Sequence, residues 1–189
     1  MPTVVLRPTS TTSATGWPSN PIVAASDDDE TTSIIQNQVS CDWTAVLEDL
    51  DSGLSGATIN SFTISAIAKG GRAGAASADL SLLHSTDGIF ATETESWGGS
   101  KTTQTTSSRT TQQDGSSALT FAYINNCSVK IDPNNQGITL FELFVTIDYT
   151  AAAAGATVHS VNTVAEANIA AIKGVAHANI AEVNTVTFD

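Results

Sequence analysis

Residues 138–149 read ITLFELFVTIDY, and they carry the clearest strand signal in this chain of 189 residues. Apolar side chains recur there at every second position, at Phe141, Leu143, Val145, Ile147 and Tyr149. That period is typical of a β-strand with one buried face. A strand of this length with one nearly pure apolar face is typical of the middle of a sheet that packs on another sheet. The stretch therefore predicts a two-layer β core with this strand at its centre.

The same alternation recurs on shorter segments elsewhere in the chain, at Phe62–Ala68, Ala78–Leu82 and Cys127–Ile131. Turn signals such as Asp87-Gly88 and Asp114-Gly115 lie between these segments. Because no convincing amphipathic helix lies between them, the pattern favours a sandwich or jelly roll. We therefore predict an all-β fold in which residues 1–150 form an antiparallel, jelly-roll-like β-sandwich.

The C-terminal part of the chain is organised differently. Residues 151–157 form a hinge of small residues, and residues 158–189 repeat with a period of eleven. Eleven residues make three turns of a right-handed helical coiled coil, whereas valine and isoleucine at the large apolar positions favour short strands joined by turns. The strand interpretation is preferred, and the helical one stays open. The large apolar positions are Val161, Val164, Ile169, Ile172, Val175, Ile180, Val183 and Val186.

This repetitive tail is expected to need a partner. Fewer than three full repeats are present, which is too few for the segment to bury its own apolar positions. We therefore interpret residues 158–189 as an oligomerisation or attachment segment that packs on another copy of the chain or on another protein.

Charge and composition exclude several classes of partner. The net charge is −12 and only 14% of the residues are charged. Because an anionic chain is repelled by phosphate, we expect no nucleic-acid partner and no binding to anionic membranes. No apolar run approaches the length of a membrane span, and no secretory leader is evident, so synthesis in the cytoplasm is expected. In that compartment Cys41 and Cys127 are expected to be buried thiols, although a single disulfide between them stays possible.

The chain carries no motif that predicts catalysis. It has no P-loop, dinucleotide fingerprint, paired-cysteine zinc motif or nucleophile elbow. We therefore expect a protein that is not an enzyme and has no cofactor and no metal. The acidic run Asp27–Glu30 has two interpretations, a solvated turn or, less favoured, a calcium-binding loop.

Two tryptophans are candidate binding residues. Trp17 precedes a proline and Trp97 precedes two glycines, which places both in predicted loops. Exposed loop aromatics can stack on sugars or anchor a protein interface, whereas buried ones pack under the loop that carries them. Both interpretations are kept, with Trp17 and Trp97 as possible surface-binding aromatics.

Several segments of the chain resemble a known module. They are residues 5–9 with Gly16-Trp17, residues 57–64, residues 122–131 and residues 143–149. Together they resemble a β-sandwich module of tailed-bacteriophage virion surface proteins, of the tail-fibre and head-decoration type. The tail repeats resemble short repeats of phage fibre proteins, although Thr163 and Thr185 stand where that pattern usually has glycine.

The resemblance implies a role on the surface of a virion assembled in the host cytoplasm, with the chain as a homo-oligomer, frequently a trimer. The first expectation is a capsid-decorating protein, either a cement or a head-fibre protein, in contact with the major capsid protein. The alternative is a tail fibre or baseplate protein that contacts other tail proteins and binds a host surface glycan.

Overall fold

A computed structural model describes residues 2–17, 21–26, 31–36, 41–71, 74–134, 137–152, 171–172 and 175–176. The chain divides into two compact units, Met1–Ala151 and Ala152–Asp189. The helices of the first unit are α1 (Ile22–Ala25) and α2 (Phe121–Asn125), with a 3-10 turn at Ser52–Leu54. Its strands, in chain order, are β1 (Thr3–Leu6), β2 (Pro8–Thr15), β3 (Ile34–Gln36), β4 (Asp42–Leu47), β5 (Thr58–Gly70), β6 (Ala76–His84), β7 (Gly88–Trp97), β8 (Thr102–Thr105), β9 (Cys127–Pro133) and β10 (Ile138–Thr150).

These strands form two antiparallel sheets. The first has the order β1-β10-β5-β8, and β3 pairs with β10 as well. The second has the order β2-β4-β9-β6-β7. Their facing sides bury one hydrophobic cluster that draws residues from both sheets. The predicted all-β, antiparallel β-sandwich is therefore confirmed.

Strand β10 lies in the interior of its sheet, as its sequence predicts, because β5 pairs along one of its edges and β1 and β3 pair along the other. Leu143, Val145 and Ile147 have no exposed surface and belong to the core. Phe141 differs from the prediction. The register shifts between Leu140 and Glu142, so a β-bulge takes Phe141 out of the alternation, and its ring lies outside the core cluster.

Of the two interpretations kept for Trp17 and Trp97, the structure agrees with packing and not with surface-binding aromatics. Trp97 ends strand β7 and is only 1% exposed, and Trp17 is 8% exposed, with its ring centroid 6.2 Å from that of Trp43. Both rings belong to the hydrophobic core. The physical reason is that each indole removes a large apolar area from water when the end of a strand or loop folds onto the sandwich.

Both cysteines carry reduced thiols, and both side chains are buried. Burial raises the pKa of Cys41 to about 11 and that of Cys127 to about 12. A thiol with so high a pKa holds very little of the reactive thiolate at neutral pH.

In the second unit, strand β11 (Ala171–Ile172) pairs antiparallel with strand β12 (Val175–Ala176), with Ile172 opposite Val175. Strand pairing at this point is what the strand interpretation of the repeat expects. The other predicted attachment positions, namely Val161, Val164, Ile169, Ile180, Val183 and Val186, lie outside the described residues, as does the acidic run Asp27–Glu30. No helix in the described part of the chain is long and apolar enough to cross a membrane.

Candidate functional site

A polar cleft lies at one end of the sandwich, beside the turn between β6 and β7. It has a volume of about 550 Å³ and is lined by Asp87, Gln112, Gln113 and Asp114. The first wall comes from the tight turn that follows His84, and Gly88 closes this turn with a φ of +86°, a conformation that suits glycine. The second wall comes from the polar segment that precedes α2.

The Asp87 wall is held in place by a group of polar side chains. Oδ2 of Asp87 lies 3.1 Å from Nδ1 of His84, and the hydroxyl of Thr86 lies 3.1 Å from the same nitrogen. The His84 ring stacks on Tyr123 at 4.0 Å between centroids, with 5° between the planes. Burial raises the pKa of Tyr123, and a hydrogen bond to Asp87 raises it further, so the phenol stays protonated. Asp87 is therefore held in place by contacts with the stacked rings of His84 and Tyr123.

The two glutamines of the second wall are oriented by backbone carbonyl groups. Nε2 of Gln112 donates to the carbonyl of Ala118 at 2.7 Å, and Nε2 of Gln113 donates to the carbonyl of Ile89 at 3.2 Å. The backbone N–H of Gln113 also donates to the hydroxyl of Tyr123 at 3.3 Å. These bonds fix both side chains on the cleft wall.

Asp114 organises the loop that closes this wall. Its Oδ1 accepts hydrogen bonds from the backbone N–H groups of Ser116 at 2.9 Å and Ser117 at 2.8 Å, and its Oδ2 accepts the hydroxyl of Ser117. The Ser117 hydroxyl and these backbone donors lower the pKa of Asp114 to about 2. Gly115 follows with a φ of +72°. The carboxylate is thus anionic at neutral pH and caps its own turn.

The cleft is rich in hydrogen-bond acceptors and carries negative charge. Two carboxylates and two amide groups line it, while the partly buried His84 stands behind Asp87. Such a surface can bind hydroxyl or amino groups. Among the described residues, no three side chains of His, Cys, Asp or Glu form a group that could hold a metal ion.

A second polar surface lies on the other sheet. Nη2 of Arg7 is 3.7 Å from Oε2 of the buried Glu142, and the Arg7 guanidinium lies 5.7 Å from the centroid of Phe144. The ammonium groups of Lys69 and Lys101 lie 5.7 and 5.2 Å from the ring centroid of Phe141. The cations thus cover the aromatic rings of this face.

Sequence reasoning missed the cleft. It identified the Asp87-Gly88 and Asp114-Gly115 turns, but it assigned no role to His84, Gln112 or Gln113. The sequence does show an aspartate in each of the two turns. It does not show that these turns, which are more than twenty residues apart in the chain, line the same cleft.

No family model matches this chain, and no curated protein matches it. Some solved structures are similar to this chain at low identity. One is a truncated AlyQ with CBM32 and alginate lyase domains, at 12% identity and a TM-score of 0.47, where the match covers 80% of this chain and 34% of that chain. Another is the C-terminal CBM6 of LamC from Zobellia galactanivorans, at 10% identity and a TM-score of 0.44, covering 77% and 98%. A third is the CBM32 of AlyQ in complex with 4,5-unsaturated mannuronic acid, at 14% identity and a TM-score of 0.43, covering 77% and 98%. The chain thus spans about a third of the first of these structures.

Proposed function

We propose that this chain is a non-enzymatic structural protein of a bacteriophage virion, a cement or head-fibre protein that decorates the capsid. In this proposal the C-terminal repeat attaches the sandwich to the particle as a homo-oligomer, and the partner is the major capsid protein. The observation that carries the proposal is the difference between the two parts of the chain in how they bury apolar side chains. Met1–Ala151 buries its own core. The repeat of residues 158–189 has fewer than three full copies, which we expect to be too few to bury its own apolar positions.

The edges of the sandwich support an attachment role for the tail. A bare edge strand would invite pairing with another chain, and proteins avoid this with short edge strands, prolines, bulges and charges turned toward the core side. Edge strand β8 has only four residues, and edge strand β2 starts at Pro8 and shows two register shifts against β4. Glu93 and Glu95 of edge strand β7 lie opposite the core residues Leu80 and Ala78. The sandwich is therefore poorly suited to association by strand addition.

Deletion of residues 158–189 tests the proposal. The full chain should form oligomers in light scattering and bind to particles that lack it, while the truncated chain should be a monomer that does not bind. Its circular dichroism and thermal transition should still show a folded sandwich. A truncated chain that assembles as the full chain does would contradict the proposal.

A point variant gives a finer version of this experiment. Ile169→Asp with Ile180→Asp puts two charges at the same apolar position of successive repeats, eleven residues apart. The matched control, Asn168→Asp with Asn179→Asp, adds the same charge at the neighbouring polar position. Assembly should be lost in the first variant and kept in the control, because only the isoleucines are assigned to the buried side.

A second candidate function is that of a tail fibre or baseplate protein that binds a host surface glycan. Trp17 and Trp97 cannot serve this function as platforms because both are buried. The observation that favours it is the preformed polar cleft of Asp87, Gln112, Gln113 and Asp114. If the full chain binds no glycan from a panel of host surface polysaccharides, this second candidate fails and the first is unaffected.

A further inference from the structure

We infer that the cleft of Asp87, Gln112, Gln113 and Asp114 selects uncharged or amine-bearing polyhydroxy ligands and rejects acidic ones. This inference rests on the second candidate function and names the chemical class of its ligand. Three features of the cleft lead to it: the orientation of its amides, the sign of its charge, and the rigidity of its walls.

The orientation of the amides leaves acceptors in the cleft. A glutamine side chain has one carbonyl acceptor and one NH₂ donor group. The NH₂ groups of Gln112 and Gln113 already donate to the backbone carbonyls of Ala118 and Ile89. One hydrogen bond uses one of the two N–H bonds of each NH₂ group, so each glutamine keeps its carbonyl oxygen and one N–H bond for a ligand. Together with the carboxylate oxygens of Asp87 and Asp114, acceptors outnumber donors on the lining, which favours a ligand that donates hydrogen bonds. Sugar hydroxyl and amino groups do so.

The charge of the cleft points in the same direction. Asp87 and Asp114 put two carboxylates on its walls, and hydrogen bonds within its own turn keep Asp114 ionised well below neutral pH. The only basic group found in contact with the lining among the described residues is His84, which lies against Asp87. A uronate, sialate or phosphate group entering the cleft would meet like charge and no basic side chain among its lining residues. The chain as a whole, at −12, adds to this repulsion.

The walls are already fixed before any ligand enters. Asp87 contacts His84 and Tyr123, and Asp114 is tied to the backbone of its own loop. Binding therefore does not need to order these side chains, so less of the interaction free energy is lost to ordering them.

Binding of defined oligosaccharides to the full chain tests the inference. The probes are oligomers of glucose, galactose and N-acetylglucosamine as neutral ligands, oligomers of glucosamine as amine-bearing ligands, and oligomers of galacturonate and sialylated galactosides as acidic ligands. Calorimetry should detect binding to members of the first two classes and at least about tenfold weaker binding to their acidic counterparts.

Variants of the glutamines test the role of the acceptors. Gln112→Met with Gln113→Met removes both carbonyl oxygens at nearly constant volume and should weaken neutral ligands by roughly tenfold. Gln112→Glu keeps acceptor oxygens but loses the N–H that donates to the carbonyl of Ala118, so it should retain more neutral binding than Gln112→Met. Gln104→Met on β8, away from the cleft, is the matched control and should change nothing. If the double variant does not fold by circular dichroism, the single Gln112→Met variant takes its place.

The possible results separate the inference from the function it rests on. Equal or tighter binding of acidic oligosaccharides, or unchanged neutral binding in the methionine variants, overturns the ligand class while glycan binding itself stands. No binding to any of the three classes overturns both. Binding of neutral ligands that falls in the methionine variants and falls less in Gln112→Glu supports the inference.

Discussion

The pairing of β5 with β10 and the cleft beside the β6–β7 turn show two different ways in which this chain fixes a structure. Strand β10 is held by backbone bonds along its length and by apolar side chains such as Val145 that have no exposed surface. The cleft is held by individual hydrogen bonds between side chains and backbone atoms, which join residues 6, 10 and 24 positions apart and are partly or fully exposed. One region is fixed by burial, the other by polar geometry.

The difference separates stability from recognition. Apolar burial stabilises by about 25 cal/mol for each Å² removed from water, so the sheet interior carries the free energy of folding. An exposed hydrogen bond contributes much less because water replaces it when it breaks. Substitutions of buried residues in the strand pair should therefore lower the stability of the fold, whereas substitutions in the cleft should change binding and leave the fold intact. Each of the following experiments can contradict this distinction between a region that determines stability and a region that determines binding.

The largest effect is expected from Leu143→Ala at the centre of β10. Leu143 has no exposed surface, so the variant leaves a cavity between the sheets and should lower the free energy of unfolding by about 3 kcal/mol. Thr146→Ala on the same strand, at a partly exposed position, is the matched control and should cost less than about 0.5 kcal/mol. Urea denaturation of both variants measures the two values. If Leu143→Ala and Thr146→Ala lower the free energy of unfolding by similar amounts, position along β10, rather than burial, determines stability.

A smaller loss is expected from Gly70→Ala at the end of β5. A Cβ atom there would lie 1.7 Å from the backbone carbonyl oxygen of Gly74. Because the clashing atom belongs to the backbone and not to a flexible side chain, the backbone must move to accommodate it. We expect a cost of about 2 kcal/mol, in the range found for overpacked cores. Gly98→Ala is the control, because nothing lies within 4 Å of its added Cβ atom. Equal thermal transitions for the two variants would mean that this strand end yields more easily than its packing indicates.

The sequence predicts the burial-fixed region well because its signal is local and repeats. Alternation on residues 138–149 places Leu143, Val145 and Ile147 on one face, and the structure agrees. The alternation does not predict the orientation of Phe141, because a bulge inserts one extra residue into the strand without changing the composition around it. It fails in a different way at Trp97, where the following glycines suggest an exposed loop although the ring belongs to the end of a strand.

The polar region could not be predicted in the same way. The Asp87-Gly88 and Asp114-Gly115 turns are visible in the sequence, and each forms locally. That Gln113 reaches Ile89 of β7 and Tyr123 of α2 depends on how the segment between β8 and α2 folds back on them, which no local pattern encodes. Amides in a segment of Thr, Ser and Gln are indistinguishable from solvated loop residues until their partners are known.

The smallest effect, and the sharpest test of the polar region, is expected from pH. The pKa of Asp114 lies near 2 in the folded chain, below its ordinary value of 3.8, because the ionised carboxylate accepts bonds from Ser117 and Ser116. The stabilising contribution of this group is therefore complete above pH 3.8 and is lost as the pH falls through 2. At neutral pH the melting temperature of the wild type should be slightly higher than that of Asp114→Asn. This difference in melting temperature should shrink toward pH 2, as measured by calorimetry across this range. A difference that stays constant to pH 2 would mean that the turn depends on the shape of the side chain, and the cleft would then be fixed by packing in the same way as the core.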